Sequence, residues 1–208
     1  MAVNFTWGEV LTSIRSQLNA ESSAFFKDEN LMVEFNFIQN YVCREAKLIR
    51  KEASLVLAGD GQTVALPADF LGLFGIGIQD QDGGIRYLPL LGLRGRARDS
   101  QMGLGYYWAG RDRLSLSSPL SNPGDNRILV NYYAMPLPLE DEEDLDAEIE
   151  VPYEYTDVVV QGVVARSYLK RREYEEYQLQ KQEYELLLNR AIKAEGRRQG
   201  NKQLNIVR

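Results

Sequence analysis

The sequence predicts an α+β protein: a helical bundle built from N- and C-terminal helices, with a small antiparallel β domain inserted between them. Apolar residues recur at steps of three or four near the N-terminus and again beyond Val151, the period of a helix with one buried face. Between these regions the period drops to two, in short runs punctuated by glycine and aspartate turns. At 208 residues the chain can bury one sizeable core, and one domain with an insertion or two small lobes both fit that length.

The first helix opens at Thr6-Trp7-Gly8-Glu9, which has the form of a capping box, and carries Val10, Leu11, Ile14 and Leu18 on one face. Asp28 is placed to cap a second helix. On it Leu31, Phe35, Ile38, Val42, Ala46, Ile49 and Ala53 recur without a break, and Cys43, the only cysteine, falls within that pattern as a buried residue. From Ser54 onward strands take over. Leu55 and Leu57, then Val64 and Leu66 across Ala58-Gly59-Asp60-Gly61, read as a hairpin that Pro67 ends. Leu73–Ile78 and Ile85–Leu88 flank the turn Asp80-Gln81-Asp82-Gly83-Gly84. Tyr106–Ala109 and Leu114–Leu116 flank Gly110-Arg111-Asp112, and 127–134 is a last alternating strand.

A charge run follows, Glu140-Asp141-Glu142-Glu143-Asp144 continuing through Asp146, Glu148 and Glu150, and reads as a solvated linker. Pro152 then marks a sharp helix start, and one long helix is expected from about Val151 to about Lys193. Such length points to a bundle or a subunit interface. In the first helices Phe35, Ile38, Val42 and Ile49, and in the last Val159 and Val163, are expected inside a common bundle, because their stripes need each other. These readings place the bundle at 1–53 and 151–195, the β domain at 54–139, the acidic linker at 140–150 and an extended C-terminal tail at 196–208.

Composition narrows the chemistry. With no histidine, a Ser-His-Asp or Cys-His site and a histidine-ligated metal are excluded. A carboxylate-dependent hydrolase stays open in principle, but consecutive acids in a loop repel one another and stay hydrated, unlike opposed catalytic carboxylates. No catalytic, cofactor or metal residues are therefore assigned. Gly72-Leu73-Phe74-Gly75-Ile76-Gly77 matches neither the dinucleotide fingerprint nor the P-loop, and reads as strand glycines for close packing or a bulge. Formal charge is 24 minus 30, or −6, which argues against gripping nucleic acid with the whole surface. Neither a membrane span nor a secretory signal is indicated, so a cytoplasm-like compartment is expected.

Two groups stand out as candidate contacts with another subunit. Arg94, Arg96 and Arg98 alternate beside Gly92 and Gly95, as a solvated loop or an arginine cluster at an interface. Tyr106, Tyr107 and Trp108, with Tyr132 and Tyr133, are either strand residues of a core or interface, or stacking platforms for single-stranded nucleic acid.

The order of parts resembles the head-to-tail adaptor (connector, head-completion) proteins of tailed bacteriophages, and is similar to podovirus adaptors and tail tubular protein A. The residues that carry the resemblance are Phe25-Phe26-Lys27-Asp28-Glu29-Asn30-Leu31, Leu66-Pro67-Ala68-Asp69-Phe70-Leu71, Val130-Asn131-Tyr132-Tyr133-Ala134-Met135-Pro136, and the run from Val151-Pro152-Tyr153 to Gln161-Gly162. It implies a non-enzymatic part of the virion neck, assembled in the host cytoplasm as a homo-oligomeric ring, commonly dodecameric, between the portal and the tail or nozzle proteins. Viral DNA would pass through the channel without specific binding, and no cofactor is implied. The tail would reach toward the portal, with Arg197, Arg198, Lys202 and Arg208 meeting acidic groups and Leu204, Ile206 and Val207 docking as a strand or in a groove. A tail-tube or baseplate ring is the alternative within the virion.

Overall fold

A computed structural model describes residues 5–19, 26–58, 62–79, 83–91, 104–118, 120 and 127–203, with residues 199–203 described by backbone alone. The class is α+β, with helices toward both termini and small antiparallel sheets between them. The chain divides into two compact units, one of residues 1–49 and 135–208, the other of residues 50–134. Among the described residues, no helix is long and apolar enough to cross a membrane.

Among the described residues the first unit holds four α-helices. The capping box at Thr6 is present: the Glu9 N–H donates to Thr6 Oγ1 and the Thr6 N–H donates to Glu9 Oε2, and helix α1 runs Trp7–Gln17. Helix α2 covers Asp28–Ala46, shorter than the periodicity predicts. Lys47 takes a left-handed φ of 54° and its N–H closes on the Cys43 carbonyl, so the helix stops there. Ile49 and Ala53 fit a step of four and a step of two equally well, and strand β1, Ile49–Leu55, uses the second. Asp28 does not cap α2 either. The cap is Lys27, with no side-chain bond, and the Asp28 carboxylate accepts from Arg15 Nε at 3.1 Å.

The long helix after Val151 is in fact a hairpin. Pro152 leads into a 3₁₀ turn at Tyr153–Tyr155, helix α3 follows at Thr156–Arg171, Arg172 turns left-handed at φ 62°, and helix α4 begins at Tyr174. Lys170-Arg171-Arg172-Glu173 thus holds the corner between the two helices. Helix α3 is rich in valine, a poor intrinsic helix former, and Val158, Val159, Val160, Val163 and Val164 are all buried. A helix apolar around most of its circumference belongs at the centre, and α3 packs on α1, α2 and α4. Gly162 makes that possible: a Cβ there would meet Ile38 Cγ2 of α2 at 2.7 Å and Tyr184 Cε2 of α4 at 2.9 Å. The six residues expected inside, Phe35, Ile38, Val42, Ile49, Val159 and Val163, are all buried.

In place of an extended tail, α4 continues through Gly196 to Gln203. The stretch contains good helix formers such as Arg197, Arg198 and Lys202, and Gly196 faces open space, so neither crowding nor a proline stops it.

Among the described residues the second unit contains two sheets, in the orders β1-β7-β3-β4 and β2-β6-β5, where β2 is Thr63–Ala65, β3 Phe70–Gln79, β4 Ile85–Tyr87, β5 Tyr106–Trp108, β6 Arg113–Leu116 and β7 Arg127–Ala134. The β3–β4 and β5–β6 hairpins are those the turns predict. Among the described residues the two arms of the expected Leu55–Leu66 hairpin are linked by the Ala58 N–H donating to the Thr63 carbonyl at 2.7 Å, but their strands belong to different sheets: β1 lies beside β7, and β2 pairs with β6. The β3 glycines have the structural role expected of them. The register slips at Gly72 and Gly75, and a Cβ on Gly77 would meet Ile85 Cγ2 at 2.9 Å. Phe70 joins the two sheets, its ring 5.8 Å from Tyr132 and 5.9 Å from Trp108.

Candidate functional site

The acidic run binds through its backbone. Trp7 and Gly8, whose N–H groups have no partner inside α1, donate to the carbonyls of Ala147 and Leu145, each at 2.9 Å, and Trp7 Nε1 donates to Glu142 O. The Ile149 N–H donates to Phe5 O. This strap brings acidic residues to the positive end of the α1 dipole while most of its side chains remain exposed. Upstream of it Asn36 clamps Leu139, donating from Nδ2 to the carbonyl (2.8 Å) and accepting its N–H at Oδ1 (2.9 Å).

Two polar clusters hold the helices in register. Glu34 of α2 is nearly buried and accepts from Arg166 and Lys170 of α3. Burial opposes its ionisation, yet hydrogen bonds and charge from Arg166 and Lys170 outweigh burial and hold its pKa below the usual 4.5. A pKa lowered on folding stabilises the fold above the unfolded value, and the contribution vanishes as pH falls through the folded one. Glu34→Gln is therefore expected to cost about 1–2 kcal/mol at neutral pH, discounted because Arg166 and Lys170 keep part of their hydration. The gap from wild type should close in denaturant titrations run below the carboxylate range; a gap independent of pH would contradict this role.

The second cluster lies at the far end of α4. Tyr155 donates its hydroxyl to Glu195 Oε1 at 2.8 Å, and Arg198 donates to Glu195 (2.8 Å) and to both oxygens of Glu154 (2.6 and 3.1 Å). Burial, then the hydrogen bond to Glu195, pushes the Tyr155 hydroxyl well above its ordinary pKa, and Arg198 holds Glu154 below its own. Arg198 is thus bound inside its own subunit. Of the other residues expected at the portal, Arg197 is exposed on α4, Lys202 is described by backbone only, and Leu204, Ile206, Val207 and Arg208 lie outside the described residues.

The aromatic candidates separate. Tyr106 is buried, and burial raises its hydroxyl pKa; Tyr107 is half-buried; Trp108 is partly exposed against Phe70. Tyr132 and Tyr133 are core residues and not stacking platforms: Tyr132 donates its hydroxyl to Asp69 Oδ1 at 3.0 Å, and the Tyr133 ring packs on Phe74. Asp69 also accepts from Lys51 Nζ at 3.0 Å, which ties β1, the Pro67–Phe70 turn and β7 together. Arg94, Arg96 and Arg98 lie outside the described residues.

Sequence reasoning missed one surface. Val33, Phe37 and Tyr41 lie one turn apart on α2 and face away from its buried side. Apolar residues lie on both sides of Glu34-Phe35 in this helix, more than one core stripe can use, which is the signal that was available.

Against models of protein families, residues 5–207 match that of the SU10 adaptor protein. A search of curated proteins gives no match. Because the match spans both units, and so the whole arrangement of terminal helices and intervening sheets, the chain belongs to the SU10 adaptor protein family and is a structural adaptor protein of a phage.

Proposed function

We propose that this adaptor is a subunit of the virion neck which closes into a ring between portal and tail and leaves a channel for DNA. The observation that carries the reading is the family match over residues 5–207, which makes the adaptor role one of the whole chain. Such a part works by geometry and needs no catalytic group. A head-to-tail contact that closes gives a ring of identical subunits. Each subunit brings a charge of −6, so free copies repel one another and the portal serves as the template for closure. The same charge suits a channel lined by acidic or neutral groups, since fixed cations would hold the phosphates of moving DNA. Tail or nozzle proteins occupy the end away from the portal.

In this reading Leu204, Ile206, Val207 and Arg208 supply the contacts with the portal. Co-sedimentation with the portal of the same phage tests the reading, and failure of the full chain to bind would overturn it. Deleting 204–208 should weaken binding roughly tenfold or more and leave the melting temperature unchanged. Deleting everything after Glu195 should also lower the melting temperature, because it removes Arg198 from Glu154 and Glu195. Portal binding unchanged by either deletion would refute a docking role for these residues.

A further inference from the structure

The buried line of α4 stops before the helix does. It runs Leu188, Ala191 and Glu195, at steps of three and four, whereas Gly196, Arg197 and Arg198 beyond it are exposed. Gly196 and Gly200 cost this stretch helix propensity that Arg197, Arg198 and Lys202 restore only in part. At 196–198 the helix thus has no buried side chain behind it and depends on contacts made from outside it. Residues 204–208 follow directly after its last turn.

One charged pair supplies such a contact. Arg198 Nη1 donates to Glu154 Oε1 at 2.6 Å and Nη2 to Oε2 at 3.1 Å, the two-pronged pairing that fixes direction as well as distance. The other bonds of the cluster act differently. The Arg198–Glu195 bond lies within α4 and ties the helix to itself, the Tyr155–Glu195 bond grips one turn earlier, and Arg198 Nη1 reaches the Tyr155 hydroxyl only at 3.5 Å. Glu154 is also a firm base for the grip. It stands in the 3₁₀ turn between Tyr153, whose ring stacks on Phe5 at 4.5 Å, and Tyr155, which is buried and whose N–H donates to the Pro152 carbonyl at 2.8 Å. An exposed ion pair adds little to the stability of a whole unit, so its effect falls on the marginal helix end that it holds.

Resting on the tail-docking reading above, we propose that Glu154 is a positioning residue for the portal contact: through Arg198 it keeps the last turns of α4 helical and aimed in one direction, so that residues 204–208 meet the portal from a fixed start. The gain is one of preorganisation, because a tail that leaves a fixed helix end has less freedom to lose on docking. Glu154 meets Arg198 and not the portal.

The test compares the wild-type chain, Glu154→Gln, the chain lacking 204–208, and Glu154→Gln in that shortened chain, each co-sedimented with the portal of the same phage. Glu154→Gln is expected to weaken binding roughly threefold to tenfold in the full chain, the scale of a lost two-pronged pair. In the shortened chain it should change nothing further, because a residue that acts through the tail has no effect once the tail is gone. Hydrogen exchange at the 199–203 amides should quicken by roughly the same factor, while the 176–191 amides and the melting temperature stay as in the wild type. Full-chain binding unchanged by Glu154→Gln, an equal loss in both chains, which would mark a direct contact, unchanged exchange at 199–203, or faster exchange throughout α4 would each overturn the positioning role and leave the tail-docking reading standing. A deletion of 204–208 without effect on portal binding would overturn both.

Discussion

Phe35→Ala is expected to destabilise the helical unit by about 3–5 kcal/mol, the range for truncating a fully buried phenylalanine. Phe35 has no exposed surface, and its ring sits 5.4 Å from that of Trp7, itself fully buried. The cavity would open beneath α1, whose first turn is fixed at Trp7 and Gly8 by the 145–147 strap and has little freedom to collapse. A fall in melting temperature on the order of 10 °C should accompany the loss in a chain of this size. A melting temperature within a degree or two of wild type would mean that α1 and α2 do not share a core.

Gly162→Val should be nearly as damaging, for the opposite reason. Its branches would enter space already held by Ile38 and the Tyr184 ring, neither of which can swing aside without leaving the core. Overpacking of this kind costs about 1–3 kcal/mol, and the larger value is expected where two helices are forced off a third. Gly162→Ala should cost less, because a gain of about 1 kcal/mol in helix propensity offsets part of the clash. Urea unfolding of both variants measures the order; a valine variant as stable as the alanine one would show that the helices are not in close contact at this position.

How much of this was legible in the sequence depends on how local each signal is. The α1 capping box, the hairpins at Gly83 and Gly110, and the 127–134 strand are set by neighbours in the chain, and all appear where their residues predict. The end of α2 and the corner between α3 and α4 were hidden for a shared reason. Both turn on a left-handed lysine or arginine, Lys47 and Arg172, where glycine would have been the usual marker. Placement of β1 beside β7 was equally out of reach, because nothing in the 49–55 segment names a partner more than seventy residues away. Of the candidate contacts, Arg198 reads as a free cation in a basic tail until Glu154, far off in sequence, is brought beside it. Tyr132 and Tyr133 likewise read as ambiguous aromatics until Asp69 and Phe74 explain them.

The central claim is that this subunit closes a ring on the portal. Electron microscopy of the full-length chain mixed with the portal of its phage tests it most directly. Closed annular density stacked on one end of the portal, with an open axial channel, is the predicted result. Portals without added density, or open chains and filaments of the adaptor, would contradict it.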